Sequence, residues 1–199
     1  MGKSIGLGCL VLVLVGVLAL GGWAAGTYNR LNEADQKVTA AWAQVENQYQ
    51  RRMDLIPNLV ETVKGAANFE KGTLEGVIQA RASATQVKID ANSIKDPAVF
   101  DRFQKVQDQL GGALARLLVA VERYPELKAV QSFRDLQVQL EGTENRIAVA
   151  RLDFNAASLV YNTLRKSFPT LIVASFAGFK ERPYFKAAES AATPPAVKF

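Results

Sequence analysis

The stretch FRDLQVQLEGTENRIAVARLDFNAASLVYNTLRKSF, residues 133–168, carries Phe133, Leu140, Ile147, Phe154, Tyr161 and Phe168 at an unbroken spacing of seven. Three residues beyond each of the first five stand Leu136, Thr143, Ala150, Ala157 and Leu164. An α-helix returns to the same face every three to four residues, so these two sets form one apolar seam facing a partner helix. Phe168 precedes Pro169, and the residue before a proline is pushed out of helical geometry, so the helix is expected to stop there.

Upstream the same period recurs. Val38, Trp42, Val45, Tyr49, Ile56, Leu59 and Val63 alternate steps of four and three, with Arg52 standing where an apolar residue is due. This predicts a helix over 30–67, with Pro57 inside it as a point of kinking. A weaker helix runs through Leu74, Val77, Ile78 and Val87, loosened by Gly72 and Gly76. A third is expected to start at Asp96-Pro97, an N-cap followed by proline at the first helical position, and carries Phe103, Val106, Leu110, Leu114, Leu117 and Val121. No strand pattern of comparable strength competes. Four helices on short connections imply antiparallel neighbours: an all-α, up-and-down four-helix bundle over 27–168.

Ahead of the bundle, Ile5 to Gly26 are 22 residues without a charge, preceded by a short tail at 1–4. As a helix they extend roughly 33 Å, enough for a hydrocarbon core of roughly 30 Å. Ala24-Ala25-Gly26 offers small residues of the kind a signal peptidase reads, but signal h-regions run only about 7 to 15 residues, which favours an uncleaved transmembrane anchor over 5–26. Charge does not orient it, because Lys3 and the amino terminus on one side face Arg30 and Lys37 on the other. Gly22 and Gly26 form a GxxxG pair through which two anchors can pack.

Composition removes most catalytic options. The chain has no histidine, and its one cysteine, Cys9, lies in the apolar run. Histidine-based triads, the Glu-x-x-His sites of di-iron bundles and ordinary zinc sites are thereby excluded. Carboxylates occur throughout, but nothing locates a pocket for them, so no catalytic residue, cofactor or metal is assigned. The 24 Lys and Arg exceed the 19 Asp and Glu. That excess suits anionic lipid and is too dispersed for a nucleic-acid footprint.

Two polar segments interrupt the seams: Arg51-Arg52-Met53-Asp54-Leu55-Ile56-Pro57-Asn58-Leu59-Val60 and Glu141-Gly142-Thr143-Glu144-Asn145-Arg146-Ile147-Ala148. They read either as a solvated helix face or as a polar network of Arg52, Glu141 and Glu144 that registers the first helix on the fourth. If the first helix ends near 67 and the fourth begins near 126, antiparallel counting sets Arg52 level with Glu141.

At these residues the chain resembles the LemA family. Tyr28-Asn29, Ala41-Trp42, the RRMDLIPNLV run, Val63-Lys64-Gly65, Tyr124-Pro125-Glu126-Leu127, the EGTENRIA run and Tyr161-Asn162 follow its pattern in order; Phe154-Asn155 departs from it, since the family usually has Tyr-Asn there. The resemblance covers the anchor and essentially the whole bundle. It implies a bacterial single-span protein of the cytoplasmic (inner) membrane with a helical body, no settled activity and no catalytic residues, related to proteins of magnetosome membranes. The expected function is a non-enzymatic scaffold or adaptor whose partners are the lipid bilayer, other copies of itself and unidentified membrane or envelope proteins, with no nucleic acid. The alternative is a sensor or adaptor subunit of an envelope-stress or proteolytic system. Which side of the membrane holds the bundle stays open.

Residues 169–199 are the last segment. An even number of helices returns the chain to the membrane, where Phe176, Phe179, Lys180, Arg182, Tyr184 and Phe185 combine rings and cations suited to the interface. The competing placement is as a cap on the open end of the bundle. The Ala- and Pro-containing run AAESAATPPAVKF at the end is expected to be disordered.

Overall fold

A computed structural model describes residues 2–66, 69–87, 89–90 and 93–187. The run expected to be disordered lies almost entirely outside these residues, as does Met1 of the short tail. The described chain is all-helical: α1 (Gly2–Lys64), α2 (Lys71–Gln86), α3 (Pro97–Val121), α4 (Pro125–Ala129), α5 (Gln131–Lys166) and α6 (Thr170–Phe176), with a 3-10 turn at Ser93–Lys95 before α3.

The apolar N-terminal segment and the first core helix are one continuous helix of 63 residues. Leu10, Leu12 and Leu18 are exposed along its first part, and among the residues whose side chains are described the first buried ones are Thr27 and Leu31. α1 also runs through Pro57. Proline removes the N–H that would bond the carbonyl four residues back. That carbonyl belongs to Met53, and Arg81 Nε of α2 donates to it instead, at 3.4 Å.

α1 packs along α5 and α2 along α3. As α1 is followed back from Arg52 through Tyr49 to Trp42, the partners on α5 advance from Glu144 through Arg151 to Phe154, so the two run antiparallel. Glu70 meets Arg123 across the start of α2 and the end of α3. Asp96 caps α3 as expected, its Oδ1 accepting from the N–H groups of Ala98 (2.9 Å) and Val99 (3.4 Å).

The buried residues form two clusters stacked along α1. One joins Ile56, Leu59 and Val63 to Leu74, Val77, Leu110, Leu117, Phe133 and Leu140. The other, nearer the apolar segment, gathers Val38, Trp42, Val45, Phe100, Phe103, Ile147, Phe154, Tyr161 and Phe185. Trp42 is its centre, with ring centroids 5.4 Å from Phe103, 5.6 Å from Phe154 and 6.0 Å from Phe100.

Several expectations change. Phe168 is 82% exposed because α5 ends at Lys166, capped by the Ser167 N–H bonding the Thr163 and Leu164 carbonyls, two residues short of the last heptad position. The peptide bond to Pro169 is cis. Ile78, read as a core position of the second helix, is 45% exposed, and Ala84 is buried further along α2. The fourth helix does not begin at 126: Pro125–Ala129 is a separate turn, α4, and α5 starts only at Gln131. After α6 the chain reverses at Gly178, whose φ of 74° disfavours a side chain. The Gly178 N–H bonds Ser175 O and the Phe179 N–H bonds Ala174 O, a Schellman closure that sends residues 179–187 back along α5 as an extended strap.

Candidate functional site: a polar layer, a tethered strap and two hollows

Arg52, Gln107 and Glu144 form a polar layer between the two apolar clusters. Arg52 and Gln107 occupy core-facing turns of their helices, and Glu144 stands next to the buried Thr143. Arg52 Nη1 donates to Glu144 Oε1 at 3.0 Å and Oε2 at 3.3 Å, and Nη2 donates to the Gln107 carbonyl at 3.1 Å and to its side-chain oxygen. The guanidinium carbon lies 5.0 Å from the centre of the Tyr49 ring. Arg52 is 2% exposed.

Glu141 is not part of this layer. It is exposed and accepts from Gln137 Nε2 one turn back in its own helix. The displaced start of α5 is the reason. Arg52 lies 12 residues before Lys64, the last residue of α1, and 12 residues beyond Gln131, the first of α5, stands Thr143, next to Glu144.

A second set of polar contacts continues from it. Arg151 Nε donates to the Tyr49 hydroxyl at 2.6 Å and Nη2 to Asp108 Oδ1 at 2.8 Å. Burial holds the Tyr49 phenol above its ordinary range, against the opposing pull of the two arginines. Arg151 also lies over the Phe185 ring, 4.9 Å from its centre.

The strap is tied down by side chains, because no strand is available to pair with its backbone. Asn162 accepts from the Arg182 N–H at 2.9 Å and donates to the Arg182 carbonyl at 2.8 Å. Seven residues earlier Asn155 does the same for Phe185, accepting from its N–H at 2.9 Å and donating to its carbonyl at 3.1 Å. Gln104 of α3 holds Lys186 in the same two-sided manner. The Tyr161 hydroxyl donates to the Lys180 carbonyl (2.8 Å) and Arg165 Nε to the Phe179 carbonyl (2.9 Å). Burial first, and Asp35 second, push the Tyr161 phenol up to about 12.

The residues expected at a lipid interface therefore divide. Phe176 is 91% exposed on α6, and Lys180 is exposed at the start of the strap. Arg182 and Phe185 are buried in the body, a correction with a clear cause: Arg182 Nε and Nη2 both bond Asp35 Oδ1 of α1, and Phe185 fills the Trp42 cluster. Phe179 and Tyr184 are half-buried; Phe179 packs on Tyr28 with ring centres 5.5 Å apart, and the Tyr184 hydroxyl accepts from Asn162. Gly22 and Gly26 have open space where a side chain would stand.

Asp35, Gln104, Gln107, Asp108, Asn155 and Asn162 carry roles that periodicity did not assign. One signal was present: in the last long helix the aromatic-asparagine pair recurs at a spacing of seven, at Phe154-Asn155 and Tyr161-Asn162, beside the seam. Phe154, where the LemA pattern has a tyrosine, is fully buried among rings and has no use for a hydroxyl.

Two hollows border this region. A polar cleft of about 630 Å³ is lined by Tyr28, Asp35, Lys95, Tyr161, Lys180 and Arg182, among others. An apolar groove of about 480 Å³ lies between α1 and α6, walled by Leu20, Trp23, Ala24, Ile172, Val173 and Phe176. Among the described residues, no group of three or more His, Cys, Asp or Glu is placed to hold a metal ion.

The family model for LemA matches residues 41–199, covering the polar layer, the asparagine ties and the strap together. The chain belongs to the LemA family. Among LemA relatives, magnetosome protein MamQ 2 of Paramagnetospirillum magneticum is 37% identical over 84 residues, 42% of this chain and 31% of that protein. Magnetosome protein MamQ of Magnetospirillum gryphiswaldense is 34% identical over 84 residues, with the same coverage. Protein LemA of Metamycoplasma hominis is 21% identical over 164 residues, 82% of this chain and 71% of that one. The chain thus spans about a third of the length of the magnetosome proteins it matches. Among the described residues one helix, at the N-terminus, is long and apolar enough to cross a membrane.

Proposed function

We propose that this LemA-family protein is a non-enzymatic, membrane-anchored helical scaffold or adaptor that self-assembles and organises a bacterial membrane. In this reading α1, α2, α3 and α5 make an antiparallel up-and-down bundle, carried by a single pass through the cytoplasmic membrane. The observation that carries the reading is the continuity of α1 from the exposed apolar span into the core. With no linker between them, span and body hold one another in a fixed relation, as an organising element requires. Among the described residues, Arg52, Gln107 and Glu144 register helices on one another, and Asn155, Asn162 and Gln104 tie down the strap.

Self-assembly is supported by a surface on α5. Val149, Leu152 and Val160, with Leu159 alongside, are exposed by more than half and fall on one helix face with Ala156. The open GxxxG face of the span offers a second contact between copies. The likeness to magnetosome proteins supports a role in membrane organisation.

The test is the size of the full chain, purified alone in detergent and crosslinked in native membranes. A scaffold gives large homo-oligomers, and Val149→Glu with Leu152→Glu reduces them to smaller species without loss of helicity. A chain that is monomeric alone and crosslinks to one distinct protein would instead support the adaptor of an envelope-stress or proteolytic system.

A further inference from the structure

The apolar groove and the polar cleft meet. Ala177 lines both, and both lie along one face of α1, where Leu20, Ala24, Tyr28 and Asp35 follow one another at helical spacing. Leu20 to Ala24 belong to the apolar span, and Tyr28 to Asp35 lie beyond its end, so the groove is at the level of acyl chains and the cleft at the level of head groups. From Ala24 to Asp35 the helix rises roughly 16 Å.

The charges in the cleft are not equivalent. Asp35 is committed to Arg182, and the Asp96 carboxylate to the first N–H groups of α3. Lys95 and Lys180 line the same cleft and have no ion pair among the described residues. The lining thus carries three cations, Lys95, Lys180 and Arg182, against two carboxylates, Asp35 and Asp96, an excess of one positive charge. The groove has the complementary character: Trp23 is 41% exposed and Phe176 91%, and its wall continues into a segment where Leu10, Leu12, Leu14 and Leu18 are each exposed by more than half.

We propose that groove and cleft together are a binding site for one anionic phospholipid, with an acyl chain against Trp23, Ile172 and Phe176 and the phosphate between Lys95 and Lys180. The site rests on the membrane-anchored reading above and adds to it a lipid class and a place. α6, which periodicity did not disclose, then has a role as the outer wall of a lipid slot. The strap has one too: its ties to Asn162 and Tyr161 hold Lys180 opposite Lys95.

Trp23 is one of two tryptophans, and the other, Trp42, is 2% exposed inside the aromatic cluster, so short-range quenching by brominated acyl chains reports on the groove. The full chain is reconstituted in phosphatidylcholine vesicles, and a minor fraction of either brominated phosphatidylglycerol or brominated phosphatidylcholine is added. Phosphatidylglycerol should quench at a much lower fraction, by about twenty-fivefold if each lysine contributes about fivefold. Lys95→Gln with Lys180→Gln should remove that preference, whereas Lys37→Gln with Lys166→Gln, which neutralise exposed lysines already paired elsewhere, should leave it intact. Equal quenching by the two lipids, or equal loss in both double variants, would overturn the site. Soluble glycerol phosphate should not compete; if it abolishes the preference, the cleft takes a free phosphate and the lipid assignment is wrong. An emission unchanged when every lipid is brominated would overturn the anchored reading itself, and the site with it.

Discussion

Arg52 has given up nearly all contact with water, whereas Glu144 keeps 43% of its side-chain surface exposed. Their contributions should differ accordingly. Arg52→Met strands the buried Gln107 oxygens and should cost about 2 to 3 kcal/mol in chemical denaturation. Glu144→Gln leaves Arg52 its bonds to Gln107 and should cost about 1 kcal/mol or less. Since the pair is in contact, the double variant should be less destabilised than the sum, by about 0.5 kcal/mol or more. Additive costs would show that the two do not stabilise one another. Tyr161 gives a residue-scale test by pH. Its phenol titrates near 10.0 when unfolded and is pushed up to about 12 in the fold, so its contribution is complete below 10.0 and declines as pH rises toward about 12. A tyrosinate also has no proton to give the Lys180 carbonyl. Tyr161→Phe should therefore lower stability at neutral pH and flatten the alkaline decline; an alkaline limb unchanged by the substitution would assign that decline to other groups.

At the scale of elements, the strap is held by side chains that reach it from α1, α3 and α5. Asn155→Ala and Asn162→Ala each delete a donor and an acceptor facing buried backbone, a loss of about 1 to 3 kcal/mol apiece. The helices should survive while residues 179–187 become cleavable in limited proteolysis, and Phe185→Ala should do the same at a cost of about 3 kcal/mol. Protection identical to that of the unaltered chain would mean the strap is held by something else. This element also marks where sequence reading stops. α1, α3 and α5 were legible because long amphipathic helices write their burial as a period, and the cap at Asp96 because its chemistry is local. α4, α6 and the strap are too short or too extended to carry a period. The position of the strap depends on Gly178, on two asparagines and on Asp35, far away in α1, none of which announces its partner from its own neighbourhood. The same limit moved the partner of Arg52: a single extra turn, Pro125–Ala129, shifts the start of α5 and replaces Glu141 by Glu144 in the register.

For the molecule as a whole, the division between span and body can be tested by removing the first. Among the described residues, core burial starts at Thr27 and Leu31, and none before them belongs to either apolar cluster. A chain beginning at Thr27 should be soluble, helical and cooperatively folded by circular dichroism and thermal melting. If it aggregates while the full chain in detergent does not, the span contributes to folding. A fluorophore at position 176 of the shortened chain should shift to the blue on adding anionic vesicles and recover in high salt, since α6 keeps its exposed face without the span.

If residues 5–26 cross a bilayer, as proposed above, the unbroken course of α1 makes that bilayer a source of motion. Transmembrane helices tilt by about 20° on average, and by more where the hydrocarbon thins. Lys64 is 38 residues beyond Gly26, which places the far end of α1 roughly 57 Å from the membrane exit. A tilt of about 20° at the span then displaces that end sideways by roughly 20 Å. Local bilayer thickness is in this way converted into the position of the body, and a patch of thinner membrane would set every copy standing in it at the same lean.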